Sequence, residues 1–367
     1  MKMPESPEQN RGGVECWFLD VGQGTSNVVL LGGGRAIVVD CGRRNSGVPL
    51  ALLKRYVYTI EVLIVSHNDS DHDGGIARIL EAYPKAIRRL LFLADRDAPL
   101  IRTFILAKRE RAAGNLLCEP ERLEAKENPQ TVFSDVGAQV ELKLLHPTFV
   151  ENLSALSGER PNQASGVLAL FCGARCVVFS GDATMLAWEA LASRLSSFLP
   201  LHCDVMTVPH HGGYLTARRS GEARDSYERR AQEDLRRLYG HIVRPSVAVV
   251  SVGSSNRFRD VIHPTPGGIA ALRASDVQVI CTQMTPNCCD DLECVRPGLL
   301  SPASPSQSSA NLKITSRGRS RDVACAGSVV AEITPDQVRI SILEDHRRAI
   351  KKATDAGTIR PMCYASS

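Results

Sequence analysis

The chain has 367 residues, 43% of them hydrophobic and 23% charged, with 44 Lys and Arg against 40 Asp and Glu. That length suffices for one large domain with an appendage, or for two domains. A net charge of +4 is weak evidence for any partner. No apolar run is long enough to span a bilayer, and residues 1–13 (MKMPESPEQNRGG) lack the apolar core of a signal peptide. A soluble, cytoplasmic protein without a membrane partner is therefore expected.

Residues 1–13 read as a disordered leader. Residues 14–42 (VECWFLDVGQGTSNVVLLGGGRAIVVDCG) predict three strands, because short apolar runs at 16–19, 28–31 and 37–39 are bounded by Gly and Asp. Asp40 ends the third strand, and an ordinary turn accounts for it. A helix is expected over 49–58 and a strand over 62–65 (VLIV). Next comes SHNDSDHDGG (66–75), then a helix over 76–83, a strand over 88–94 and a helix over 98–117 whose basic residues read as a solvated face. Further strands are expected at 140–145, 167–172, 176–180 and 203–208, with an amphipathic helix over 185–199. The stretch 215–239 is arginine-rich with interleaved acids and reads as an exposed helix. Strand 246–252, helix 269–274 and strand 277–282 follow.

Composition then changes. Residues 301–309 are a Ser/Pro linker, 327–334 and 337–343 alternate like a small hairpin, and 345–353 form a short basic helix. The expected organisation is a leader (1–13), a main domain (14–284) and a linker with a hairpin-helix appendage (285–367), the last being a candidate surface for protein partners of a multi-component system. Of twelve cysteines, those in apolar strands read as buried thiols. Cys281, Cys288, Cys289, Cys294 and Cys325 lack regular paired-knuckle spacing, and a structural zinc among them is a candidate beside free thiols.

The chemistry concentrates at three strand ends. SHNDSDHDGG places two histidines and three aspartates within seven residues, His67 to Asp73. Clustered carboxylates repel one another unless a cation sits among them, and imidazole with carboxylate is a ligand set for divalent transition metals. Asp182 in SGDAT and His210-His211 in VPHHGG each follow an apolar strand as well. If these ends converge, two divalent ions roughly 3.5–4 Å apart need a shared oxygen ligand, a role suited to Asp182. Such a pair lowers the pKa of a bridging water to about 7 and makes it a nucleophile. One of His210 and His211 would complete an ion's shell, while the other meets substrate or protonates the leaving group.

The ordered motifs LDVGQGTSNVVL, VVDCG, SHNDSDHDGG, NQASGVLAL, FSGDAT, VPHHGG and SVGSSNRFRDVIHPTP resemble the metallo-β-lactamase superfamily, and within it the C-terminal hydrolase domain of ComEC-type DNA-uptake proteins. The resemblance covers residues 14–282 and implies an αββα sandwich, an α/β fold with its site along one edge of two sheets. It implies one ion at His67 and Asp69, another at Asp71, His72 and one of His210/His211, and Asp182 as the bridge. Asp69 stands where the superfamily pattern has a second histidine, which makes the site harder and manganese at least as suitable as zinc. The superfamily's third histidine for the first ion has no match. His146, in LLHP, looks structural, and Asn162 and Ser165 occupy the corresponding region. Asn256, Arg257 and His263 match the late motif and resemble substrate-binding groups, although four residues (259–262) lengthen the gap before His263.

The resemblance implies a metal-dependent hydrolase, foremost a phosphodiesterase or nuclease with nucleic acid as substrate. Asp71, Asp182, His210 and His263 are the candidate catalytic groups. Hydrolysis of a small ester, lactone, thioester or cyclic nucleotide on the same scaffold is a second expectation. A non-catalytic binding or regulatory module is a third.

Overall fold

The computed structural model describes residues 13–42, 46–93, 98–125, 129–157, 161–254, 257–258, 261–289, 292, 295, 300, 323–340 and 342–364. In chain order its elements are β1 (Val14–Phe18), β2 (Asn27–Gly32), β3 (Arg35–Val39), α1 (Gly47–Tyr56), β4 (Thr59–Val65), α2 (Ser70–Asp73), α3 (Ile76–Ala82), β5 (Leu90–Phe92), α4 (Ala98–Ala112), β6 (Pro120–Arg122), β7 (Gln130–Asp135), β8 (Val140–His146) and α5 (Phe149–Ser157). They continue with β9 (Val167–Cys172), β10 (Arg175–Phe179), α6 (Met185–Arg194), β11 (Leu201–Thr207), α7 (Arg224–Arg237), β12 (Val243–Val250), β13 (Arg257–Phe258), β14 (Val261–Ile262), α8 (Pro266–Arg273), β15 (Gln278–Cys281), β16 (Val329–Ile333), β17 (Val338–Ile340) and α9 (Leu343–Asp355).

Two sheets stack face to face. The first runs β17-β16-β1-β2-β3-β4-β5-β6 and the second β15-β12-β11-β10-β9-β8-β7. Alternation along each strand sends successive side chains to opposite faces. Phe18, Val39, Ile64, Val177, Phe179 and Val249 point inward and form the layer between the sheets. The rings of Phe18 and Phe179 meet there with centroids 6.2 Å apart. Their neighbours point outward. Trp17, Val38 and Leu63 pack under Leu52 and Leu53 of α1 and Ile76 and Ile79 of α3. Val178, Met206 and Ala248 pack under Trp188 of α6, Leu235 of α7, Ile269 of α8 and Ile350 of α9. The result is the expected αββα sandwich. No helix among the described residues is long and apolar enough to cross a membrane.

Strand direction positions the site. β3, β4, β5 and β6 are mutually parallel, as are β10, β11, β12 and β15. Parallel strands deliver their C-terminal ends to one edge, where open α/β sheets hold ligands. A bond from the Gly166 amide to the Ser66 carbonyl, 2.7 Å, ties the two sheets at that edge.

The C-terminal hairpin forms, and it lies within the sandwich. β16 pairs antiparallel with β1 in register Val14↔Ile333 to Phe18↔Val329, so residues 329–340 complete the first sheet. The arginine-rich stretch becomes helical only at Arg224. Residues before it form a loop pinned by Arg230, which bonds the Glu222 carboxylate and the Ala217 carbonyl. β6 and β7 are additional strands. They are polar and partly exposed, so no run of apolar residues marks them. The leader up to residue 12 and the Ser/Pro linker at 301–309 lie outside the described residues.

Candidate metal centre

The site is built from the C-terminal ends of β3, β4, β10, β11 and β12. After β4 the chain passes through buried His67 and Asn68 into α2, whose first turn carries Asp71 and His72. This turn is held from behind by the backbone. The Thr25 amide donates to the Asp71 carbonyl at 2.8 Å, and the Cys41 amide donates to the His72 carbonyl at 2.7 Å. The approach is close enough to require glycine: a Cβ on Gly24 would lie 2.5 Å, and one on Gly42 2.6 Å, from the Asp71 carbonyl oxygen. The glycines of VGQGT and VVDCG thus let two loops clamp the metal-competent turn.

His72 is fully buried between two carboxylates. Its Nδ1 lies 2.9 Å from Asp40 Oδ2, and its Nε2 lies 3.1 Å from Asp182 Oδ1. Asp40, held at φ 65°, also accepts the Ser66 amide at 2.7 Å and the Ser66 hydroxyl at 2.6 Å. A carboxylate facing Nδ1 selects the Nδ1–H tautomer and leaves the Nε2 lone pair directed into the site. His211 is oriented in the same manner, with Nδ1 donating to the Ser251 carbonyl at 2.7 Å. Its Nε2 lies 3.3 Å from Asp71 Oδ2 and 3.9 Å from Asp182 Oδ1. One ligand atom each from Asp71, His72 and His211 falls within 4.8 Å of the others. At the far side, His67 Nε2 lies 3.1 Å from Asp69 Oδ2, and the His67 ring stands edge-on to His72 with centroids 5.4 Å apart.

These donors fit a divalent ion. Nε2 of His67, His72 and His211 and Oδ1 of Asp182 are buried and make no hydrogen bond of acceptable geometry. Two ligands about 2.1 Å from one ion, at angles between square and tetrahedral, lie about 3.0–3.4 Å apart. The observed separations of 3.1, 3.1 and 3.3 Å match that spacing.

The electrostatics favour a cation too. Burial pushes the Asp182 carboxyl up, but the charges of His72 and His211 outweigh it and hold it well below the ordinary range. Asp71 is likewise raised by burial and lowered further by its contact with His211 and the charge of His72. Burial lowers His72, yet Asp182 and Asp40 on its two sides raise it well above its usual value. Imidazoles that draw in protons between carboxylates occupy a field that draws in metal ions.

His210 and His211 part company. Both have left-handed backbone, φ 50° and 53°. His211 faces the metal-competent set, whereas the His210 ring packs on His263 with centroids 5.3 Å apart. Burial, followed by the neighbouring imidazoles of His210 and His211, pushes His263 down to about 4. Of the residues inserted before His263, Val261 and Ile262 form β14, which pairs antiparallel with β13.

The remaining candidates are placed as follows. Ser165 is fully buried behind the site rather than lining it, and its hydroxyl accepts the Asp182 amide at 2.8 Å. Asn162, at the start of that turn, is partly exposed. His146 is a structural link, with Nδ1 3.0 Å from Glu151 and Nε2 2.7 Å from the Gln163 carbonyl. Asn256, the side chain of Arg257 and Cys294 lie outside the described residues. Among the described residues the late cysteines are not gathered into a set of three ligands. Cys289 instead faces the Thr358 carbonyl at 3.8 Å, and Cys325 faces His346 Nε2 at 3.6 Å. Asp40 and Ser251 are the functional positions that sequence reasoning passed over. The motif VVDCG held the signal for the first; a backbone carbonyl carries none for the second.

A profile of the metallo-beta-lactamase superfamily matches residues 21–231, more than half of the chain. The protein belongs to that superfamily. It is 28% identical over 200 residues to Recombination protein 2 of Haemophilus influenzae, a match covering 53% of this chain and 21% of that protein. The chain therefore spans about a fifth of that relative's length. Among solved structures, it overlaps a CmlA beta-hydroxylase mutant over 77% of this chain and 53% of the other, at 15% identity and a TM-score of 0.43. Human tRNase Z, short form, overlaps over 53% of this chain and 76% of its own, at 16% identity and a TM-score of 0.34. Zinc-bound PqqB from Methylobacterium extorquens overlaps over 70% and 84%, at 12% identity and a TM-score of 0.39.

Proposed function

We propose that the protein is a metal-dependent phosphodiesterase acting on nucleic acid. The observation that carries the reading is the buried constellation at one sheet edge, in which His72, backed by Asp40, points Nε2 toward Asp182 while His211 meets Asp71. His67 and Asp69 would hold one divalent ion, Asp71, His72 and His211 the other, and Asp182 both. Two such ions supply a nucleophilic water at neutral pH and neutralise charge on a phosphoryl group.

The chain's own residues do the rest. Asp40 and the Ser251 carbonyl fix the tautomers of His72 and His211. Ser165 anchors the Asp182 backbone. His263, uncharged at neutral pH, would present an N–H to a substrate oxygen beside His210. The two ends of the site differ in exposure: the Asp69 side chain is 62% exposed and that of Asp71 31%. The His67–Asp69 end would bind its ion more weakly. Its carboxylate-rich ligands suit manganese as well as zinc. A relative named for recombination supports nucleic acid over a small ester.

The test is incubation of the purified protein with manganese and linear or circular DNA and RNA, beside Asp182→Ala. Cleavage by the parent and none by the variant is expected. A parent that loads two ions yet cleaves only a small ester or lactone would overturn the nucleic-acid reading.

A further inference from the structure

Beside the metal centre, and lined by His210 and His263, lies a groove of about 740 Å3, well within the range of ligand-binding sites. One wall is the start of α7. Arg224, Tyr227 and Glu228 stand at i, i+3 and i+4, so they share the helix face that lines the groove. Tyr227 meets Tyr214 edge-on, with centroids 5.6 Å apart and planes at 81°. Tyr214 is seated over Gly267, where an added Cβ would lie 2.4 Å from its hydroxyl. The Arg230 guanidinium sits 5.8 Å from the centre of the Tyr227 ring. The groove is also lined by aliphatic residues, Val261 and Ile262 of the β13–β14 ribbon, and Val261 is 44% exposed.

The charges lining this groove are of two kinds. Arg224 is bound to Glu228 at 2.8 Å and is largely neutralised. Arg218 donates from Nε and an Nη to the Glu222 carbonyl, at 2.8 and 2.6 Å, and a carbonyl does not cancel its charge. Flat aromatic surface, an aliphatic strip and an uncancelled guanidinium, next to a metal centre, are the elements that bind unpaired bases and their phosphates. A paired base is stacked within its duplex and must leave it to enter a groove of this size.

We propose that the groove is a stacking subsite for a base of an unpaired polynucleotide strand, with the Tyr227 ring as the platform, braced edge-on by Tyr214, and Arg218 on a neighbouring phosphate. The proposal rests on the phosphodiesterase reading and specifies the form of its substrate. The experiment is fluorescence anisotropy of the full chain in EDTA, where nothing is cleaved, with a labelled 12-mer of thymidine and a 12-mer of abasic tetrahydrofuran units.

The thymidine strand is expected to bind about tenfold more tightly than the abasic one, in line with one aromatic stacking contact. Tyr227→Ala should remove most of that preference, and Tyr227→Phe should keep it. Tyr214→Ala serves as the second variant if Tyr227→Ala melts early. Arg218→Ala should weaken both strands alike and reduce the salt slope by about one. Equal affinity of the parent for the two strands would overturn the subsite, as would equal losses on both strands in Tyr227→Ala. Failure of the phosphodiesterase reading shows separately, as absence of cleavage with manganese while the base preference in EDTA persists.

Discussion

Replacing Asp40 by Asn tests whether the metal centre depends on a residue that touches no metal. Asp40 is 1% exposed and accepts three hydrogen bonds, two from Ser66 and one from His72 Nδ1. Asn has nearly the same shape and tolerates the left-handed backbone at φ 65°. Its amide can accept on only one side. With the NH2 toward Oδ2's place, it confronts the Nδ1–H of His72 and drives the imidazole to the Nε2–H tautomer, which cannot ligate. Turned the other way, it confronts the Ser66 amide and leaves a buried donor unpaired. Loss of such an orienting carboxylate typically costs 10–100-fold in metal affinity, about 1.4–2.7 kcal/mol. The second orientation keeps the tautomer and instead costs about 1–3 kcal/mol of folding stability through the unpaired donor. A competition titration against a chromophoric chelator reads the first quantity, and a thermal melt in EDTA reads the second. Metal affinity within twofold of the parent together with an unchanged melt would refute the orienting role of Asp40.

Gly42→Ala should melt earlier by an amount equivalent to about 1–3 kcal/mol and lose metal content, because its Cβ would lie 2.6 Å from the Asp71 carbonyl; a melt with elemental analysis checks both. Burial pushes the Glu151 carboxyl up, but His146, the Thr148 amide and Arg194 outweigh it and hold it down to about 2. Its folded pKa is therefore below its unfolded value, so it stabilises fully above about pH 4.5 and this contribution fades as pH falls toward 2. Glu151→Gln should cost about 1–2 kcal/mol at pH 7 after solvent screening and much less at pH 3, read by urea denaturation at both. Metal titration of the parent should be biphasic, and Asp69→Ala should abolish the weaker phase alone. Phe179→Ala empties a fully buried ring position between the sheets and should cost about 3–5 kcal/mol in the same denaturation assay.

The sandwich and most of the centre were legible because their signals are local. An apolar run ending in His and Asp announces a strand delivering ligands, and this pattern recurs at Val65, Phe179 and Thr207. What escaped the sequence depends on contacts made at a distance. Asp40 becomes an orienting group only because β3 and β4 lie side by side in parallel, which sets it against Ser66 and His72. The choice between His210 and His211 is made by two consecutive left-handed residues that turn adjacent rings opposite ways. Ser165 resembled a pocket residue by its place in the motif order, but its backbone turns it under Asp182. The tyrosine pair was hidden because Tyr227 lies inside the arginine-rich stretch and Tyr214 just before it, and the two meet only when the loop before α7 folds back.

The pairing of β16 with β1 bears on how the molecule is made. β1 is synthesised long before one of its two neighbours, Val329–Ile333, at the other end of the sandwich's sequence. During synthesis the inner face of the first sheet can close over the second while one flank of Val14–Phe18 waits with open amides and carbonyls. That flank belongs to an almost wholly buried, aromatic strand, the kind that templates association with other chains. A chain cut before residue 329 would keep every proposed metal ligand and still be expected to aggregate. Assembly of the ligands and protection of the sheet edge are thus separate events, and the second waits until Val329–Ile333 has been made.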